Sequence, residues 1–297
     1  MLNKLQSKYI NAITCPKLYI PESKLDYHWF QEPRTENCLG IPTSDVTEPE
    51  LALLQTLFEY FKPIPSSMNR SLQAEKWYQY LFHTGPIPNN ETEPIRICHF
   101  SYSGEKANLL ELEAALEGFF STNYIMVWIN TYYGLIIENH PQLSDGDYNS
   151  ISSTIESEFF IKPVFYVGKQ RPQTNDFLAH FQSETNLFER GKKLLPIERA
   201  LTFEKVFPHL IINQLSNELR DHLQRELLLT FKEDPELLIT IKTYLEANFN
   251  LSLTAKNLYI HRNTLQYRLD KFVEKTGINL KSFTGALTVY LACILHD

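Results

Sequence analysis

Glycine and cysteine are both scarce in this chain of 297 residues. Glycine occurs only 10 times, well under the roughly 7% of an average protein, so loops of the glycine-rich type that cradle phosphates are scarce from the outset. The cysteines are far apart, without the paired spacing that zinc sites and disulfide frameworks need. We therefore expect buried thiols at Cys15, Cys38, Cys98 and Cys293.

Long apolar runs and a surplus of positive charge are also missing. No stretch approaches the ~18 apolar residues that span a bilayer, and the N-terminus lacks the charged-then-apolar pattern of a secretory signal. The sequence thus predicts a cytoplasmic protein with no membrane partner. The formal net charge is −7, so a nucleic-acid site would have to be local. Hydrophobic residues at 43% and charged residues at 21% exclude a mainly disordered chain.

The length predicts two or three domains. Pro86, Pro88 and the polar run that ends at Pro94 form the clearest internal linker. We predict an α+β, multidomain protein of four parts. These are a small N-terminal α/β sensor-like domain (1–90), a middle domain (91–198), a helical connector or dimerisation segment (199–231) and an all-α C-terminal domain (232–297).

Local patterns predict the elements of the first two parts. In the N-terminal part they favour short strands at 17–21 and 27–30, a helix over 48–61 capped by Thr47, and a helix over 72–82. In the middle part they favour strands at 95–102, 124–129, 135–137 and 162–168, and helices at 109–120, 145–160 and 174–194. The order β-α-β-β-α-β is that of a ferredoxin-like unit.

Everything after residue 200 has helical periodicity. Helices are predicted over 201–214 and 217–231 from apolar residues at i, i+3 and i+4. Asp234 followed by Pro235 is the signature of a further helix start, and this helix is predicted to run to about Phe249. Three short helices complete the chain.

Residues 250–277 have the pattern of a helix-turn-helix. Ser252 can cap a short helix in which the small Ala255 lets a second helix cross closely. A tight connection with an inward-facing Ile260 leads to a longer helix that opens at His261 or Arg262. Gly277 ends it in a left-handed conformation. The apolar positions of the longer helix are Leu265, Leu269, Phe272 and Val273.

The predicted outer face of this segment is polar and basic. Residues 255–281 contain six basic residues against two acidic ones, a net charge of +4, which leaves −11 on the rest of the chain. A basic patch in an acidic protein is the footprint expected of a DNA-binding module. We predict these DNA-binding residues: Ser252, Lys256, His261, Arg262, Asn263, Thr264, Gln266, Tyr267, Arg268 and Lys271.

The roles of these residues differ. Base contact and mere solvent exposure remain equally open for His261 and Gln266. Arg262 and Arg268 suit phosphate contact, the commoner class in protein–DNA interfaces. Asn263 and Thr264 can contact DNA or instead cap the helix.

The run Ile260-His-Arg-Asn-Thr-Leu-Gln-Tyr-Arg-Leu, followed by Glu274-Lys-Thr-Gly277, resembles the C-terminal helix-turn-helix of PucR/CdaR-type bacterial transcriptional regulators. Their usual form is "HRNTLRYRL…TG" after "TAxxLxIH", and Gln266 stands where arginine is common. The module is also similar to the Fis-type helix-turn-helix of sigma-54 activators. The strong match spans roughly 231–295, and residues 235–245 fit the family's leading helix.

The middle part more weakly resembles the degenerate GGDEF-like domain that often precedes this module. Its hairpin reads Asn130-Thr-Tyr-Tyr-Gly134 where a cyclase has Gly-Gly-Asp/Glu-Glu-Phe, so the resemblance implies no cyclase activity. The resemblance as a whole implies a transcriptional regulator. Its partners would be double-stranded DNA with an inverted-repeat operator, a second copy in a homodimer, and a small-molecule effector bound by the N-terminal or middle domain.

Two other function classes remain open at this point. One is a helical protein-interaction scaffold or signalling protein without DNA binding. The other is a nucleotide-processing enzyme on the middle domain, which would need a carboxylate pair for two metal ions. The sequence predicts no catalytic residue, no cofactor and no metal. Asp145 and Asp147 suit a helix start, and Cys98 and His99 should face opposite sides of a strand.

Overall fold

The computed structural model describes residues 2–16, 26–31, 37–61, 71–83, 85–88, 93–104, 107–120 and 124–296. The chain forms two compact units, Met1–Val206 and Phe207–Asp297. The first unit contains two β-sheets with helices, and the second is helical. The predicted mixture of α+β and all-α parts is therefore confirmed, whereas the division into four domains stays a prediction.

The first sheet is four-stranded and antiparallel, in the order β1-β3-β2-β4. Its core includes Phe30, Leu39 and Ile41, which pack against Leu54 and Phe58. The strand predicted at 17–21 lies outside the described residues. The elements of this part are α1 (Leu2–Lys8), β1 (Ile13–Pro16), β2 (Tyr27–Gln31), β3 (Asn37–Pro42), α2 (Glu48–Leu57) and β4 (Glu59–Phe61).

Helix α2 begins as predicted and ends earlier. The Thr47 side chain and backbone both contact the Glu50 carboxylate, the reciprocal arrangement of a capping box. The prediction that this helix continues to Phe61 was wrong. Phe58 adopts an extended conformation, and the next three residues pair with β2 in the register Gln31↔Glu59. Sheet pairing here overrides local helical periodicity.

The second sheet has the order β6-β7-β5-β8-β9. The first four strands are antiparallel neighbours, and β9 runs parallel to β8. The elements of this part are α3 (Leu72–Phe82), β5 (Arg96–Gly104), α4 (Leu109–Glu117), β6 (Tyr124–Asn130), β7 (Tyr133–Glu138), α5 (Asp145–Phe159), β8 (Ile161–Val167), α6 (Phe177–Leu194) and β9 (Ala200–Leu201).

The two faces of this sheet carry different cores. Cys98 and Phe100 belong to the apolar cluster that α4 and α5 cover. His99 lies on the other face, where its ring stacks on Phe181 of α6. Helix α3 joins this second layer, because Trp77 lies against Phe177. Cys98 and His99 thus face opposite sides of the strand, as the alternation of side chains requires.

Most helices of the second unit pack around one apolar core. Leu227, Phe231, Ile241, Leu265 and Phe272 are fully buried within it. Helix α7 (Phe203–Asn213) begins in the last residues of the first unit. The helices that follow are α8 (Asn217–Leu223), α9 (Leu229–Glu233), α10 (Pro235–Glu246), α11 (Leu251–Asn257), α12 (Arg262–Thr276) and α13 (Phe283–His296).

Two predicted helices of this region differ from those observed. The single helix expected over 217–231 is interrupted by a π-helical turn at Gln224–Leu228. The helix expected to reach Phe249 ends at Glu246. Asn248 and Phe249 have φ angles of 52° and 63°, in the left-handed region that stops an α-helix.

Candidate nucleic-acid interface

Helix α11 is the first helix of the helix-turn-helix, and its cap is Asn250. The Asn250 Oδ1 accepts hydrogen bonds from the backbone N–H of Ser252 and of Leu253, at 3.1 and 3.0 Å. The prediction that Ser252 caps this helix was therefore wrong. Asn250 precedes it with extended backbone angles, and asparagine caps a helix at least as well as serine. Ser252 is instead exposed in the first turn.

A turn of four residues joins α11 to α12. Tyr259 has a φ angle of 54° and is 97% exposed. The next amide, of Ile260, donates to the carbonyl oxygen of Ala255 at 3.0 Å, and the Ile260 side chain packs against the core. The predicted tight connection and the inward isoleucine are confirmed. The buried Ala255 lies where α11 meets α12.

Both ends of α12 are defined by local contacts. The His261 Nδ1 accepts a hydrogen bond from the Asn263 backbone N–H at 3.2 Å, so His261 occupies the N-cap position. Asn263 and Thr264 lie in the first turn and are exposed, which leaves them available to a ligand. Gly277 ends the helix with a φ angle of 69°, as predicted.

The inner face of α12 is formed by three of the four predicted apolar residues. Leu265, Leu269 and Phe272 are buried in the core of the second unit. Val273, the fourth apolar position, is 37% exposed and lies outside this core. It follows Phe272 directly, and each residue of an α-helix is rotated by about 100° from its neighbour. Val273 therefore turns away from the core.

Most of the predicted DNA-binding residues are exposed, on α11 or in the first two turns of α12. Within the described ranges, neither Arg262 nor Lys256 of α11 has an ion-pair partner, so both cations are available to phosphate. We call this surface the N-terminal arc. It consists of Ser252, Lys256, His261, Arg262, Asn263, Thr264 and Tyr267.

Two predicted residues point instead toward the preceding helix α10. The Arg268 guanidinium donates to the Glu236 carboxylate at 2.6 Å and to the Thr240 hydroxyl at 3.1 Å. The Lys271 ammonium lies 3.6 Å from the Asp234 carboxylate. Both cations thus hold α12 to the start of α10. These acidic partners were not predicted, although the acidic start of the helix at Asp234 is visible in the sequence.

Gln266 lies between the two groups. Its amide nitrogen donates to the Asp270 carboxylate at 2.8 Å, one turn further along the same helix. This contact fixes the orientation of the amide and leaves its oxygen as an acceptor. An interaction of this kind on an exposed helix face contributes only about 0.2–0.5 kcal/mol, so a base edge can replace it.

Comparison with known proteins identifies the helical C-terminal part of the chain. The model of the PucR C-terminal helix-turn-helix domain matches residues 237–295, from α10 to the end of α13. Over the full length, the chain is 30% identical to the uncharacterized protein YxkF of Bacillus subtilis, across 100% of this chain and 99% of that protein. The chain belongs to the PucR family of helix-turn-helix transcriptional regulators.

Two named regulators match a smaller share of this PucR-family chain. The carbohydrate diacid regulator of Escherichia coli is 32% identical over 36% of this chain and 29% of its own length. The purine catabolism regulatory protein of Bacillus subtilis is 46% identical over 20% of this chain and 12% of its own length. The predicted resemblance is thus confirmed, and the family is one of DNA-binding regulators rather than enzymes.

Membrane-spanning helices and metal sites were sought in the structure itself. Among the residues with described positions, no helix combines the length and the apolar character that crossing a membrane requires. The same part of the chain contains no group of three or more His, Cys, Asp or Glu side chains arranged to hold a metal ion.

Proposed function

We propose that this PucR-family regulator binds double-stranded DNA sequence-specifically as a homodimer on an inverted repeat, under the control of a small molecule. The observation that carries the proposal is the N-terminal arc. In helix-turn-helix proteins the first residues of the second helix contact base edges in the major groove, while the first helix lies over the backbone. The arc supplies donors and acceptors at these positions.

The residues of the arc divide by chemistry. Arg262 and Lys256 carry charge without an internal partner in the described structure, which suits phosphate contact. Asn263 of the arc and Gln266, which lies outside it, carry amides, which can read adenine through a donor and an acceptor together. His261, Thr264, Tyr267 and Ser252 supply further polar contacts. We propose that Arg268 and Lys271 chiefly position α12, because their salt bridges must open before they reach phosphate.

A homodimer follows from the small size of the module. One helix-turn-helix buries too little surface for strong discrimination, and two related modules read two half-sites about one helical turn apart. The exposed apolar side chains of Phe207 and Ile211 on α7, which are 43% and 42% exposed, support a dimer surface in the helical segment after residue 199. The middle part of the chain is the second candidate.

The middle part supports a regulatory role without catalysis. The strands β5 to β8 occur in the order β6-β7-β5-β8, which a ferredoxin-like, GGDEF-like unit would give. The hairpin at 130–134 carries no carboxylate, so it lacks the metal ligands that phosphoryl chemistry needs. A small molecule that binds this part or the N-terminal part must favour one of two arrangements of the regulator. We propose that the regulator acts in the cytoplasm, where bacterial DNA lies.

Selection of genomic fragments by the full-length protein at about 50 and 200 mM salt tests the proposal. We expect one enriched inverted repeat, bound more weakly at the higher salt because phosphate contacts release counterions. Salt-sensitive binding without an enriched sequence would contradict sequence specificity. No binding at either concentration would favour a protein-interaction scaffold.

A further inference from the structure

A cavity of about 290 Å³ lies beside the second sheet, at the end of β5. Its wall is formed by the end of β5, the start of β8, the hairpin before β7 and the last turns of α6. The volume is close to the lower limit of roughly 300–1,000 Å³ for ligand pockets, which suits a small metabolite.

The wall carries cations from three separate parts of the chain. Lys162 comes from β8, Lys192 from α6, and Arg199 directly precedes β9. Lys192 donates to Glu189 at 2.8 Å, and Arg199 lies 3.4 Å from Glu156. Lys162 has no ion-pair partner in the portion of the chain that the structure describes. Cations gathered in a cleft attract an anion more strongly than the same charges spread over an open surface.

Uncharged hydroxyl groups line the same cavity. Ser101, Ser103 and Tyr132 belong to its wall, and Ser101 is only 9% exposed. None of these three hydroxyls makes a hydrogen bond within the described ranges. Because buried polar groups in native proteins nearly always have a partner, the buried Ser101 hydroxyl suits a polar ligand.

The wall is held in place by contacts behind it. The Tyr102 hydroxyl donates to the Thr131 carbonyl oxygen at 2.7 Å, and the Tyr102 N–H donates to the Tyr132 carbonyl oxygen at 3.1 Å. The His99 Nδ1 and the hydroxyl of Tyr133, another wall residue, lie 2.7 Å apart. The hairpin is thus fixed to β5, and little reorganisation opposes binding.

We propose that this cavity binds a small, hydroxylated oxyanion and is the effector site of the regulator. The oxyanion would lie against Lys162, Lys192 and Arg199. The carboxylates of Glu59 and Glu189, which also line the cavity, would accept hydrogen bonds from the ligand's hydroxyl groups. The inference rests on the proposed small-molecule control, and it adds a location and a chemical class.

Occupation of the site has a direct structural consequence. The three cations belong to β8, to α6 and to the segment that leads into β9, and α7 follows β9 after one residue. A ligand that contacts all three would hold these elements in one arrangement. The chain that leads to the helix-turn-helix starts there, which gives the ligand a means to favour one arrangement over another.

Calorimetric titration of the full-length protein tests the site. The probes are malate, glycerol 3-phosphate and glycerol, which present a hydroxylated carboxylate, a hydroxylated phosphate and a neutral triol. We expect saturable binding of malate or of glycerol 3-phosphate and none of glycerol. Which anion binds more tightly distinguishes a carboxylate ligand from a phosphate ligand.

Variants assign the binding to the cavity. Lys162→Gln removes one charge-assisted hydrogen bond to the ligand and should weaken anion binding roughly tenfold or more. The exposed Lys162 side chain has no ion-pair partner within the described residues, so the substitution breaks no salt bridge there. Lys193→Gln is the matched control, since Lys193 is exposed and neighbours Lys192 outside the wall. Ser101→Ala should weaken binding without removing charge.

The outcomes separate this inference from the proposed DNA binding. No saturable binding of either anion, equal binding of glycerol, or equal losses in Lys162→Gln and Lys193→Gln would overturn the effector site. DNA binding measured on the same preparations is an independent readout. A protein that selects an operator but binds no anion refutes the cavity alone, and one that binds an anion but no DNA refutes the DNA-binding function alone.

Discussion

The contact of Arg268 with α10 gives a quantitative prediction for Arg268→Met, which keeps an apolar stem and removes the guanidinium. The ion pair with Glu236 is partly exposed, at 28% and 75% of the two side chains, and should contribute about 0–1 kcal/mol. The bond to Thr240, which is 1% exposed, adds about 1 kcal/mol. The variant should therefore lower the free energy of unfolding by about 1–2 kcal/mol.

Urea unfolding of the full chain measures this decrease, and a double-mutant cycle assigns it. Glu236→Gln should cost less than Arg268→Met, because Glu236 is mostly exposed. In the double variant the two decreases should not add, since both substitutions remove the same ion pair. Arg225→Met is the control, because Arg225 is exposed and has no ion-pair partner among the described residues.

DNA binding discriminates between two roles for the same arginine. A positioning role predicts that Arg268→Met loses stability while the dependence of the binding constant on salt keeps its slope. A phosphate-binding role predicts a shallower slope, by about 0.9 for each phosphate that the protein no longer neutralises. A stability change no larger than that of Arg225→Met, together with a shallower slope, would refute the positioning role.

Four further predictions concern other residues. Arg262→Gln in both protomers should lower the salt slope by about 1.8 with unchanged stability, and Arg225→Gln should leave the slope unaltered. Gln266→Ala should relax the preference at one base pair, by about 1–3 kcal/mol in competition binding to operator variants. Gly277→Ala should lower the free energy of unfolding by about 1–2 kcal/mol, because Gly277 is left-handed while space for a Cβ is open. Burial, with a smaller effect of Lys192, lowers the pKa of His99 to about 3. The free energy of unfolding should therefore fall as the pH drops from about 6.5 toward 3, because the unfolded chain binds a proton that the folded protein does not. His99→Phe should flatten that pH dependence in urea titrations.

Each of these four has a contrary result. Equal salt slopes for Arg262→Gln and Arg225→Gln would remove Arg262 from the interface. An unchanged base preference in Gln266→Ala would show that its side chain does not read a base. Equal stability of Gly277→Ala would show that the left-handed turn adapts without cost. The same pH dependence in His99→Phe as in the parent would assign the acid sensitivity to other groups.

The sequence predicted the helix-turn-helix well because its determinants are local. The bounds of α12 follow from an N-cap, a repeat of apolar residues and a glycine, all between His261 and Gly277. The capping box of Thr47 and Glu50 and the helix start at Asp234 are equally local. Such signals need no knowledge of the rest of the fold.

The contacts and helix ends that the sequence did not predict depend on a residue distant in the sequence or on a choice between neighbouring residues. Phe61 was predicted to be helical because its strand partner, Trp29 of β2, is distant in the sequence. The contact of Arg268 with Glu236, 32 residues away, was also not visible in the sequence, and the phosphate contact predicted for Arg268 stays a prediction. The cap of α11 was misplaced for a different reason: Asn250 and Ser252 are both good caps, and only the backbone angles choose between them.

The salt bridges from Arg268 and Lys271 to α10 also bear on how operators would be distinguished. They connect α12, the proposed recognition helix, to α10, so α10, α11 and α12 should move as one body. A signal from the first unit would then alter the distance between the two recognition helices of a dimer, not the bases that each one reads. Such a regulator would change its choice among operators by the spacing of their half-sites while every half-site keeps the same sequence.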